Sequence, residues 1–215
     1  MSKLLEGLNP EQLQAVTHTN GPLLIVAGAG TGKTTVITRR IAYLLELKLA
    51  QPEEILALTF TDKAATEMED RVDKYTELGS TYGMQISTFH SFCEEILKDY
   101  GLDIKLPNDF KLLSETSQWV FVHKNLNKFA LDYYRPIGSP NKFIASLLSH
   151  FSKCKDELIS PAEYLEYANS IEAEEGDEEA LIEKNRLLEV AGAYQTYQQL
   201  LLDNECLDFG DVIFY

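Results

Sequence analysis

Ala27-Gly28-Ala29-Gly30-Thr31-Gly32-Lys33-Thr34 decides how this chain is read. An apolar run, Leu23 to Ala27, leads into it and reads as a buried strand. Behind it, Lys33 to Leu47 has helical periodicity through Val36, Ile37, Ile41, Leu44 and Leu45. A glycine-rich segment ending in Gly-Lys-Thr between a strand and a helix is the setting of a phosphate-binding P-loop. Its glycines let the backbone wrap an anion without side-chain interference, so that several amide N–H groups face one phosphate. The helix starting near Gly32 adds the positive end of its dipole. Lys33 is expected to reach the β- and γ-phosphates of ATP, and the Thr34 hydroxyl to ligate Mg²⁺. Residues Ala27, Gly28, Ala29, Gly30, Thr31, Gly32, Lys33 and Thr34 thus form the expected ATP and Mg²⁺ site, with Lys33 and Thr34 as its chemical groups. Ala27 stands where the pattern has its first glycine.

Upstream lies Leu8-Asn9-Pro10-Glu11-Gln12-Leu13-Gln14-Ala15-Val16. Asn9 is suited to cap a helix, Pro10 to open it, and Gln12 to close a capping arrangement from the third position. The same glutamine amide can donate to and accept from one edge of adenine. Downstream, Ile55 to Phe60 reads as a second buried strand and Ala64 to Tyr75 as a charged surface helix. Gln85 to Thr88 reads as a third strand and Phe89 to Tyr100 as the helix after it. Alternating strands and helices imply a parallel sheet. After Gly101 the pattern turns helical. Ser139-Pro140 offers a cap and first-turn proline ahead of Phe143, Leu147 and Phe151. Ser160-Pro161-Ala162-Glu163 forms a capping box. Glu172 to Glu179 is an acidic connection, and Glu183 to Leu202 a long helix. A helical insertion or second domain is expected from about Lys105 to Glu205. The last residues, Leu207 to Tyr215, begin a new apolar element, which reads as a chain cut within a domain.

The formal net charge of −15 argues against a polyanionic partner, since phosphate backbones reward positive charge. The sign is uneven, however. Between Lys105 and Lys155 eight basic residues face three acidic ones, whereas Asp156 to Glu189 holds twelve acidic residues against Lys184 and Arg186. One segment can therefore meet nucleic acid while another repels it. Cys93, Cys154 and Cys206 are odd in number and widely spaced, which argues against a disulfide framework or a zinc site. No apolar run approaches the ~20 residues of a membrane span, and the N-terminus has no signal-peptide core. A cytoplasmic chain with no membrane partner is expected.

The motifs together resemble the UvrD/Rep/PcrA-type helicases of superfamily 1. Leu8 to Val16 looks like their Q motif, and Ala27 to Thr34 like motif I, of which an alanine-first variant is familiar in some helicases. Leu58-Thr59-Phe60-Thr61-Asp62-Lys63-Ala64-Ala65-Thr66-Glu67-Met68 is similar to motif Ia. Ile86-Ser87-Thr88-Phe89-His90-Ser91-Phe92 resembles the DNA-contacting motif that follows, and Leu207-Asp208-Phe209-Gly210-Asp211 the LDF-x-D segment. Five motifs in the family's order cover nearly the whole chain. The resemblance implies an α/β fold, an incomplete RecA-like parallel sheet of the P-loop NTPase type with an all-α insertion. Residues 1–104 would begin domain 1A, 105–205 form the helical domain 1B, and 206–215 return to 1A. It implies a motor moving 3′ to 5′ on single-stranded DNA, near duplex DNA, completed by domains 2A and 2B of the rest of a helicase chain.

On that resemblance Gln12 joins the ATP-binding residues, and Phe60, Thr61, Lys63, Thr88 and His90 are candidate DNA contacts. Phe60 taken alone reads either as core or as a stacking platform for bases, which works without reading sequence. Asp62 replaces the family's common asparagine; a carboxylate repels phosphate, so it reads as a cap for the next helix. His90 reads as a contact to the DNA backbone. The stretch from Lys105 to Lys155 interleaves its basic residues with Trp119, His123, Phe129, Tyr133 and Tyr134. That composition suits a nucleic-acid surface, and equally a helical core with a solvated lysine face.

Hydrolysis in the family also needs an Asp-Glu pair after a later strand and arginines from a second RecA-like domain. Neither is in these 215 residues. Glu174-Glu175 and Glu178-Glu179 lie in a polar connection and receive no metal role. The chain is expected to bind nucleotide without hydrolysing it at a useful rate or unwinding DNA. The alternative is a non-catalytic nucleotide- or DNA-binding module. A P-loop phosphotransferase is disfavoured by the Gln12 segment, by Thr88-Phe89-His90 and by Asp208-Phe209-Gly210-Asp211.

Overall fold

Asn9 opens the first helix, α1 (Pro10–Thr17): its side chain accepts from the Gln12 amide at 2.8 Å, while Gln12 Oε1 accepts from the Asn9 amide at 3.1 Å. Two of the helix's orphan donors are thereby satisfied by local sequence alone. The computed structural model describes residues 3–76, 82–172 and 177–215, and divides them between Phe92 and Cys93 into two units.

In the first unit α1 packs on α2 (Lys33–Glu46). Two arginines of α2 tie down the N-terminal segment. Arg39 Nη1 donates to the Leu4 and Glu6 carbonyls at 3.1 and 2.6 Å, and Arg40 Nη1 to those of Ala15 and His18. Next come β1 (Leu56–Thr59), α3 (Asp62–Asp73), β2 (Gln85–Thr88) and α4 (Phe89–Tyr100), which runs on past the division. The two strands are parallel, with Leu56 opposite Gln85 and Thr59 opposite Thr88. Ile41 of α2, Ala57 of β1 and Met68 and Val72 of α3 form the core, with Ile55, Met84 and Ile86 against them. Burial of each large side chain here is worth about 1.5–3 kcal/mol.

The second unit contains β3 (Lys111–Leu113), α5 (Glu115–Asn125), α6 (Ile144–Asp156), α7 (Pro161–Ser170), α8 (Glu178–Asp203), β4 (Cys206–Asp208) and α9 (Phe209–Phe214). Phe151 of α6 stacks on Tyr194 and Tyr197 of α8, at 5.0 and 5.4 Å between ring centres. Ile144, Leu147, Val122, Leu126 and Leu201 complete this core. Beneath it lies a buried ionic cluster. Lys155 Nζ sits 2.7 Å from both Asp208 Oδ2 and Asp211 Oδ1, its side chain 1% exposed. Tyr197 donates its hydroxyl to Asp208 at 3.0 Å and Gln198 Nε2 donates to Asp211 at 2.8 Å. Burial pushes the Asp211 carboxyl up, with Lys155 pulling the other way. No helix among the described residues is long and apolar enough to cross a membrane.

The molecule is mixed α/β with short parallel sheets, and it departs from the sequence reading at several points. Leu23 to Ala27 forms no strand. Leu24 and Val26 are each 87% exposed, and among the described residues no ladder includes this segment. An apolar run states that a strand can be covered, not that a neighbour is present to cover it. The region expected to be all-α is not, because β3 pairs in parallel with β4, Lys111 opposite Cys206 and Leu113 opposite Asp208. Strands of three residues are too short to show a period. Helix α5, capped by Ser114, falls where only a basic and aromatic composition was legible. Ser139-Pro140 belongs to successive turns, and α6 starts later, at Ile144. The Ser160–Glu163 capping box forms as read. Of the acidic connection read from Glu172 to Glu179, residues 173–176, with Glu174 and Glu175, lie outside the described residues, while Glu178 and Glu179 already open α8, capped by Asp177.

Candidate nucleotide-binding site

Gly30 and Gly32 have φ of +76° and +87°, a backbone region that side chains rarely tolerate. They turn the chain sharply before Lys33 begins α2 with Gly32 as its cap residue. Thr31 Oγ1 donates to the Gly28 carbonyl at 2.8 Å and braces the turn. Lys33 folds back over it, its ammonium donating to the carbonyls of Ala27 at 2.8 Å and Gly28 at 2.6 Å. Residues 27–31, Lys33 and Thr34 are all exposed, so the turn is open to solvent. An ammonium resting on two carbonyls beside a helix N-terminus suits an incoming polyphosphate, which offers it a stronger charge-assisted partner. For Mg²⁺, the described residues hold no group of three His, Cys, Asp or Glu side chains. An ion here would rest on the Thr34 hydroxyl and on the phosphates themselves, the usual manner for this cation.

Gln12 is half-buried beside the loop. Besides closing the α1 capping box, its Nε2 donates to the Thr31 carbonyl at 3.0 Å. This contact joins residues 19 apart in sequence, and local pattern gave no sign of it.

The candidate DNA residues gather at one edge. Parallel register sets the ends of β1 and β2 side by side, so Phe60 and Phe89 meet with ring centres 5.6 Å apart. Phe60 is 90% exposed, so the core reading of this residue is wrong. Thr61, not Asp62, caps α3: its Oγ1 accepts from the Ala64 amide at 3.2 Å, and Asp62 is the first helical residue. A carboxylate there still favours the helix dipole. Thr88 is buried, its Oγ1 accepting from the Ser91 amide at 3.1 Å, while Lys63 and His90 are exposed. Phe89 lies within the motif read from the sequence but carried no role of its own there; the strand register sets its ring against Phe60.

In the second unit the basic and aromatic stretch divides. Phe129 is core, and Trp119 stacks on His123 at 5.1 Å. Tyr133 lies under the Arg186 guanidinium at 3.9 Å. Lys124 and Lys128 are exposed, but Arg135 donates to the Leu126 carbonyl at 3.3 Å and Lys155 is buried. Lys155, one of the eight basic residues of the 105–155 stretch, is an interior residue, because two buried carboxylates hold it. The Asp208-Phe209-Gly210-Asp211 segment is the other half of that cluster: Asp208 caps α9, and Asp211 returns a bond to the Asp208 amide.

The glycine turn, the capped glutamine helix before it in sequence and the buried aspartates Asp208 and Asp211 all fall within the span of one family match. Residues 8–215 match the UvrD/REP helicase N-terminal domain, and the chain belongs to that family. Among particular relatives, it is 39% identical over 213 residues to the ATP-dependent DNA helicase PcrA of Bacillus subtilis, covering 99% of this chain and 26% of that protein. It is 39% identical over 214 residues to a probable DNA helicase II homolog of Rickettsia conorii, covering 97% and 29% respectively. PcrA of Staphylococcus aureus is 38% identical over 213 residues, covering 99% and 26%. The chain thus spans between a quarter and a third of the length of these relatives.

Proposed function

We propose that this chain is the N-terminal part of an ATP-dependent 3′–5′ DNA helicase, whose nucleotide site is the 27–34 loop with Gln12. On this reading residues 1–104 begin a RecA-like domain 1A, 105–205 form domain 1B, and 206–215 return to 1A. The observation that carries it is the open glycine turn at the start of α2, with the Lys33 ammonium folded onto its carbonyls. Bound ATP with Mg²⁺ would supply the phosphoanhydride whose cleavage drives movement. Lys33 would leave the carbonyls of Ala27 and Gly28 for the terminal phosphates, and the loop amides would orient them. Thr34 would share the cation with phosphate oxygens. At the strand edge, Phe60 would stack on a base, while Lys63 and His90 meet backbone phosphates. Thr61 and Thr88, already engaged as caps, would fix the geometry of that edge more than touch DNA through their hydroxyls. The remaining chemistry, an Asp-Glu pair and transition-state arginines, belongs on this reading to further parts of a helicase chain. The 215 residues alone would bind nucleotide without turning it over.

A fluorescent ATP analogue titrated with Mg²⁺ tests this reading. Lys33→Ala should weaken binding about 10- to 100-fold, the worth of a hydrogen bond to a charged group. Equal binding by both proteins would remove the loop from the site, and steady turnover by the chain, abolished by Lys33→Ala, would contradict its inactivity.

A further inference from the structure

Gln12 touches the phosphate loop as well as its own helix, and a base-recognition role does not require that contact. Its Nε2 donates to the Thr31 carbonyl at 3.0 Å, and a Cβ added at Gly32 would lie 3.1 Å from the same nitrogen. The amide therefore lies against the two residues that immediately precede Lys33. Its Oε1 meanwhile accepts from the Asn9 amide. A glutamine amide has two N–H donors and an oxygen with two lone pairs. One donor and one lone pair are engaged here, which leaves one of each, the complement an adenine edge presents. Both ends of α1 are also anchored, to the loop through Gln12 and to α2 through Arg40, which donates to the Ala15 and His18 carbonyls.

We infer that Gln12 is a positioning residue for the phosphate loop, holding the Thr31–Gly32 turn in place whether or not a base is present, and so linking base recognition to phosphate grip. This rests on the nucleotide site proposed above and adds a role that acts on the triphosphate. If Gln12 serves the base alone, its loss is invisible to a ligand without a base. If it holds the turn, a baseless triphosphate feels its loss as well.

The experiment uses the 215-residue chain, with Mg²⁺, ATP and inorganic tripolyphosphate as separate ligands followed by calorimetry. Gln12→Met keeps length and neutrality but removes the Thr31 contact. Asn9→Ala removes the Asn9 side-chain cap and keeps that contact, so it controls for a weakened helix start. Gln12→Met is expected to lower tripolyphosphate affinity about three- to tenfold, the worth of one neutral hydrogen bond, and ATP affinity by at least as much. Asn9→Ala should leave tripolyphosphate binding unchanged. Amide hydrogen exchange without ligand gives a second readout: residues 28–34 should exchange faster in Gln12→Met alone, with α3 unchanged as a folding control. A Gln12→Met chain that loses only ATP affinity, with loop exchange unaltered, overturns the inference and leaves the nucleotide site standing. A wild-type chain that binds neither ligand overturns both.

Discussion

Phe60 concentrates the case for a DNA-facing edge in one side chain. A phenylalanine 90% exposed gains little from the core, and its tilted contact with Phe89 leaves ring surface open to solvent. Base stacking on such a ring is worth about 1–3 kcal/mol. Phe60→Ala should therefore weaken binding of single-stranded DNA by that amount, measured by fluorescence anisotropy, without lowering thermal stability. A loss of stability with unchanged DNA affinity would return the residue to a packing role. Lys33 and Gln12 differ from Phe60 in legibility. The glycines and the lysine announce themselves by spacing alone, since a backbone that must pass through positive φ has few residues to choose from. The state of Phe60 depended on which strand lies beside β1, and an isolated phenylalanine carries no information about that.

Among the elements, the junction of α6, β4 and α9 encloses a buried cation held by two carboxylates. Lys155→Met would leave Asp208 and Asp211 buried side by side without their cation. Breaking a buried pair in this way costs about 3–5 kcal/mol. Urea denaturation followed by the fluorescence of Trp119, the single tryptophan, should report a loss of that size at neutral pH. The deficit should also depend on pH. The Asp211 carboxyl is already raised by burial, and loss of Lys155 raises it further. A carboxyl raised in the folded state lends stability that is complete below its ordinary value of about 3.9 and lost as pH rises through the folded value. The variant should therefore recover toward pH 4, and a deficit independent of pH would rule out this electrostatic account. Capping motifs such as Asn9–Gln12 and Ser160–Glu163 were legible because both partners lie within four residues. The Lys155 cluster was not, because its partners come more than fifty residues later and the lysine sits in a stretch whose composition suggests a surface.

For the whole molecule, charge and burial must be taken together. The net charge of −15 conceals an excess of cations over residues 105–155, yet only some of those cations face solvent. Lys124 and Lys128 do; Arg135 and Lys155 are engaged internally. Changing Lys124 and Lys128 together to Ala should weaken DNA binding and reduce the salt dependence of log affinity by up to about two units, near one per lost phosphate contact. Unaltered slopes would make this surface a bystander. The acidic stretch that follows is not simply a repulsive face either. Glu189 on α8 accepts the amides of Asp132, Tyr133 and Tyr134 at 2.7, 3.2 and 3.0 Å, and so clasps the turn that leads to Arg135 and Lys142. Anyone redesigning the protein for tighter hold on polyanions by stripping negative charge from residues 156–189 would unfasten, at this one position, the cationic turn the redesign set out to favour.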